Sequence, residues 1–130
     1  MANKSTDATP QRPEGDRLID APLVTMDLNL LMEQVRKEPS WKDSDRNSIT
    51  IYKSESMRVV LIGLHENAEL KTHTANGNIS VQVLEGHIKF TTEQQVSELH
   101  KGHMLTLQKQ IPHSVLALKE TFMLLTMAMV

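Results

Sequence analysis

From Asn47 to the C-terminus the chain is a succession of short apolar or β-branched runs, separated by turn residues and without helical spacing. SITIYKS, MRVVLIGLH, ISVQVLEG, HIKFTT, VSELH, HMLTLQ, HSVLALK and FMLLTMAMV each read as a strand. The breaks between them, among them Ala75-Asn76-Gly77-Asn78, Glu85-Gly86, Lys101-Gly102 and Lys109 to Pro112, carry turn chemistry. Parallel strands need long crossovers, usually helical, and no helix is predicted between these. The pattern therefore predicts a mainly β antiparallel sandwich or barrel and disfavours a parallel α/β sheet. VVLIGL and FMLLTMA are apolar at consecutive positions, so both faces of those strands need cover. A helix or a second copy of the chain would supply it, and a homodimer is expected.

The first third has a different character. Pro10, Pro13, Pro22 and Pro39 precede residue 40, whereas Gly63, Gly77, Gly86 and Gly102 follow it. Up to about Asp16 the sequence is polar, with nothing to bury against the entropy of ordering its backbone, and a flexible tail is expected. Leu28, Leu31, Met32 and Val35 then fall at i, i+3, i+4 and i+7. This predicts one short amphipathic helix with Thr25 or Asp27 as N-cap, Pro39 as its stop and Trp41 anchoring its exit. The expected organisation is a tail over 1–20, a helix and linker over 21–46 and a β domain over 47–130.

Composition narrows the function. Fourteen Lys and Arg against sixteen Asp and Glu leave no basic surplus, so nucleic acid is not an expected partner. No run approaches the roughly 20 apolar residues of a membrane span, and the N-terminus has no apolar secretory segment, so no membrane partner is expected and a cytoplasmic location is. Without cysteine, disulfides, thiol catalysis and Cys-ligated metals are excluded. Any metal would rely on His, carboxylate or water. Ser80 and Ser114 lie near histidines but in no GxSxG elbow, and a hydrolytic triad has no support. Met123, Met127 and Met129 are expected to pack in the core, and Glu93, Glu98 and Glu120 to be solvated.

The stretches KTHTANGNISVQVLEGHIKF and LHKGHMLTLQKQIPHSVLAL, followed by a closing apolar strand, resemble the small single-domain cupins, over roughly residues 57 to 128. The resemblance implies a double-stranded β-helix, or jelly roll, of the RmlC-like type. It places His73 at the first ligand position of the family, Gly86 at the end of the first motif, Gly102 at the start of the second and His113 at the last ligand position. Ala75 replaces the second His, Ile79 the Glu, and Gln108 and Gln110 the usual Pro and Gly. Two ligand positions of four are thus retained. Two neutral imidazoles without a carboxylate give a divalent ion too few donors and no charge compensation, so tight binding of Fe, Mn, Ni, Cu or Zn is not expected. His65, His87, His100 and His103 are the other nitrogen sources, with His87 and His100 beside turns and expected in solvent.

Strand alternation extends the candidate pocket. If His73 and position 79 face inward, so do Ile79, Val81 and Val83, and Val115 follows His113. The expected cavity is narrow and aliphatic with two imidazoles near its mouth, suited to a small, largely apolar ligand held by one or two hydrogen bonds. The favoured expectation is a small-molecule-binding cupin without tight metal. The alternatives are a metal-dependent oxygenase, isomerase or decarboxylase acting on a small acid or enol through His73 and His113, and a regulatory interaction protein.

Overall fold

The computed structural model describes residues 4–5 and 18–129. Most of the expected tail lies outside them. Of that segment, β1 (Lys4–Ser5) and β2 (Leu18–Asp20) pair as a two-stranded antiparallel sheet.

Where one helix is expected there are two. Asp27 is the N-cap of α1 (Leu28–Lys37), its carboxylate accepting from the N–H groups of Asn29 and Leu30 at 3.0 and 3.2 Å. Pro39 does end that helix, since the residue before a proline is driven to extended backbone, and Glu38 sits at φ −78°, ψ 149°. Yet the same proline opens α2 (Pro39–Asp43), because the first helical position needs no N–H. Trp41 lies within this second helix, its ring stacked on His65 at 3.7 Å.

The β domain comprises β3 (Arg46–Lys53), β4 (Met57–Leu64), β5 (Glu69–His73), β6 (Ile79–Glu85), β7 (His87–Thr92), β8 (Val96–His100), β9 (Met104–Leu107), β10 (His113–Ala117) and β11 (Thr121–Ala128). The eight expected strands are all present, and β5 is additional. Its sequence, ELKTH, is polar and mostly exposed, so it carries no alternating signal and forms only by pairing with β10. Two antiparallel sheets result, one ordered β5-β10-β7-β8 and the other β3-β4-β11-β6-β9. Among the described residues no helix is long and apolar enough to cross a membrane.

Each face of the five-stranded sheet has its own core. Inward, Val81, Val83 and Met123 meet Ile88, Phe90, Leu99 and Val115 of the other sheet. Outward, Ile49, Ile51, Leu61 and Phe122 pack beneath Met32, Val35 and Trp41. The helices therefore cover the second apolar face from within the chain, and that face makes no demand for a second copy. Gly63 makes room for them: a Cβ there would lie 2.8 Å from Phe122 Cε1 and 3.0 Å from Trp41 Cζ3. Asn47 and Arg36 tie the layers together. Asn47 Nδ2 donates to Val35 O and Glu38 Oε1, and Arg36 bonds Glu85 at 2.7 Å while lying over the Phe122 ring.

Among the described residues, left-handed backbone occurs at Asn67, Gly86, Gly102 and Gln110. Gly86, at φ +103°, links β6 to β7 with its α-carbon against Glu120 and Thr121, where a side chain would clash. Gln110 holds φ 65° without being glycine, fixed by Gln110 N–H to Ala75 O and by its side-chain amide to Asn76 Oδ1, both 2.9 Å. The position where the family pattern has glycine thus keeps a glycine-like backbone.

Candidate functional site

His73 ends β5 and His113 begins β10, and the two are direct cross-strand partners. Their rings stand 4.4 Å apart at 60°. His73 is exposed, whereas His113 is only 4 % exposed and stacks on Phe90 at 5.3 Å. The pair thus runs from the surface into the space between the sheets. Each Nδ1 faces a backbone carbonyl, Lys71 O at 2.7 Å for His73 and Ile111 O at 2.9 Å for His113. A carbonyl only accepts, so Nδ1 carries the proton in both rings and Nε2 is the free nitrogen.

Burial holds the His113 imidazole below its ordinary value near 6.5; the Ile111 carbonyl opposes this, and His73 adds to the lowering. His113 is therefore neutral at pH 7, with Nε2 a lone-pair acceptor. The unfolded chain takes up this proton first, so His113 contributes stability that is complete above about pH 6.5 and declines as the pH falls below it. His113→Phe is expected to flatten the stability profile between about pH 6.5 and 5. Denaturant titrations across that range check this, and an unchanged slope would assign the acid sensitivity elsewhere.

A cavity of about 360 Å³ opens beside the pair. His73, His113, Ile79, Val81 and Val115 are all among its lining residues, but Val83 is not. The cavity ends earlier on β6 than on its neighbours, since Ile62 and Met123, level with Val83, do line it. Across β4, β11 and β6 the inward residues form rungs: Arg58, Met127 and Ile79; then Val60, Leu125 and Val81; then Ile62, Met123 and Val83. Val83 is on the third rung and is fully buried in the solid core with Ile88 and Ala117. None of His65, His87, His100 and His103 lines the cavity. His65 is held under Trp41, its Nε2 at 2.6 Å from Trp41 O.

Sequence reasoning missed the opposite wall. Met123, Leu125, Met127 and Met129 line the cavity at alternate positions of the last strand and its exit, so Met123 and Met127 are cavity wall as well as core and Met129 is wall. Arg58 stands beside them. Its Nε is buried and has no hydrogen-bond partner, and no ion pair among the described residues includes it. The signal was a lone charge two and four positions before Val60 and Ile62, on the inward face of an otherwise apolar strand.

The cavity's donors do not fit a tightly held divalent ion. Ala75 and Ile79 offer none, and the group of His, Asp and Glu side chains able to hold an ion among the described residues is His87, Glu98 and His100, which lie elsewhere.

No protein-family model and no curated protein matches the sequence. Solved structures do match. A cupin-2 domain protein from Shewanella frigidimarina aligns at 15 % identity over 80 % of this chain and 94 % of its own, with a TM-score of 0.65. An RmlC-like cupin from Desulfovibrio desulfuricans aligns at 27 % identity over 66 % and 84 %, with a TM-score of 0.61. The chain has a cupin fold. Salicylate 1,2-dioxygenase from Pseudoaminobacter salicylatoxidans, in a structure with gentisate adducts, matches 84 % of this chain at 15 % identity and a TM-score of 0.71, although the chain spans only 34 % of that enzyme.

Proposed function

We propose that this cupin binds a small organic acid with a largely apolar body in the cavity between its sheets. The observation that carries the reading is Arg58, a fixed positive charge on an aliphatic and thioether wall with a buried, unpartnered N–H. A guanidinium matches a carboxylate in a planar, two-pronged pair, and a buried donor without a partner is costly until one arrives. Across the cavity, neutral His113 presents an acceptor, which favours a ligand bearing a hydroxyl or N–H group. The volume falls at the small end of the roughly 300–1,000 Å³ typical of ligand sites.

A thermal-shift panel tests this with benzoate, salicylate, gentisate and hexanoate set against benzamide and hexanol. The acids are expected to raise the melting temperature in proportion to the logarithm of their concentration, and the neutral analogues are not. Stabilisation by neither set at millimolar concentration, or by both equally, rejects the proposal. The metal-dependent alternative, an oxygenase, isomerase or decarboxylase, draws support from the two free Nε2 atoms and needs a further donor from solvent or substrate. Elemental analysis of His113→Ala beside the parent protein decides it: that reading requires about one ion per chain that the variant loses.

A further inference from the structure

On the outer face of the four-stranded sheet, away from the cavity, three potential ligands converge. His87 and His100 are directly opposed across β7 and β8, and Glu98 lies on the same face two residues before His100. The imidazoles stack at 3.9 Å and 21°, and His87 Nε2 is 2.8 Å from Glu98 Oε1. One donor atom from each of the three lies within 4.8 Å of the others. The expectation of solvent exposure fails for His87, whose side chain is 16 % exposed, whereas Glu98 is exposed as expected and hydrogen-bonds to it.

We propose that His87, Glu98 and His100 form a binding site for a divalent ion of the zinc, copper and nickel class. Two imidazole nitrogens and one carboxylate oxygen suit such ions and are a poor match for magnesium or calcium, which take mainly oxygen. Around a tetrahedral ion with bonds of about 2.0–2.1 Å, neighbouring donors sit roughly 3.4 Å apart. Small rotations would bring these three to that spacing, with the ion replacing the proton shared by His87 and Glu98.

The site is held in advance. His87 N–H donates to Thr121 Oγ1 at 3.1 Å, and its carbonyl receives Leu118 N–H at 2.9 Å. The His100 ring lies between His87 and His103, the latter edge-on at 5.6 Å. His103 is a support and not a ligand, because its Nδ1 accepts the His100 backbone N–H at 3.0 Å, which leaves the neutral ring's proton on Nε2. Lys89 is directly opposite Glu98, yet the carboxylate reaches diagonally to His87, and no Lys89–Glu98 ion pair is present among the described residues. A lone His–Glu hydrogen bond would explain two of these residues, but it does not require the third nitrogen. β8 is an edge strand, so the remaining coordination positions are open to water.

Calorimetry with Zn(II) on the untagged full chain tests the site. One ion per chain with micromolar affinity is expected, weakened at least about tenfold in Glu98→Gln and in His100→Ala and unchanged in His113→Ala. Glu98 and His100 are exposed, so neither substitution threatens folding, which circular dichroism verifies. Absence of binding below millimolar Zn(II), binding that survives both substitutions, or binding lost in His113→Ala would each overturn the proposal.

Discussion

Arg58→Met is expected to stabilise the free protein while removing its affinity for organic acids. The two effects have opposite signs because the buried Arg58 Nε has no hydrogen-bond partner until a ligand supplies one. A buried donor without a hydrogen bond costs about 1–3 kcal/mol, and since the Arg58 side chain as a whole is half-buried, a gain of about 1 kcal/mol is expected when Met replaces it. Methionine preserves the length and apolar stem, so no void opens. Once a carboxylate is bound, removing its partner costs about 2–5 kcal/mol, a loss of roughly 30-fold to several thousand-fold in affinity. Denaturant titration and calorimetry with the tightest acid of the panel measure both. An arginine with a purely structural role would give the reverse, a less stable variant with affinity intact.

Phe122→Ala should cost about 3–5 kcal/mol, the range for truncating a fully buried aromatic. Its ring lies 5.4 Å from Trp41, under the Arg36 guanidinium at 4.4 Å and against Gly63, so it joins both helices to the sheet. The effect should be confined to that side. Phe122 faces the helices while Met123 and Leu125 face the cavity, so acid affinity in the folded variant should stay within about twofold of the parent. Chemical denaturation gives the first quantity and calorimetry the second. A cost below about 1 kcal/mol would mean the helices are held by something other than this contact.

Much of the cavity was legible in advance. His73 and His113 were found by their place in a spaced pattern, and Ile79, Val81 and Val115 by counting in twos from them. The same count overreached at Val83, because alternation tells which face a residue is on but not how far along the strand a cavity extends. Arg58 was overlooked for a related reason. It shares a rung with Met127 and Ile79, whose strands lie far from it in sequence, and only the order β4-β11-β6 brings the three together. β5 left no trace because a strand of mostly exposed polar residues owes its conformation to its neighbour's backbone.

Taken alone, the sequence determined what is local: which side chains share a strand face, where turns interrupt the strands, and that Ala75 and Ile79 stand at the second and third ligand positions of the family it resembles. These follow from covalent geometry, a two-residue repeat and side-chain chemistry, none of which depends on distant contacts. Tertiary structure decided which strands became neighbours. It thereby placed Arg58 opposite two histidines, His87 against His100 and Glu98, and the helices over a face that otherwise called for a second copy. Those pairings reflect closure of the whole pair of sheets, a cooperative outcome of burying both faces at once that no short window of residues encodes.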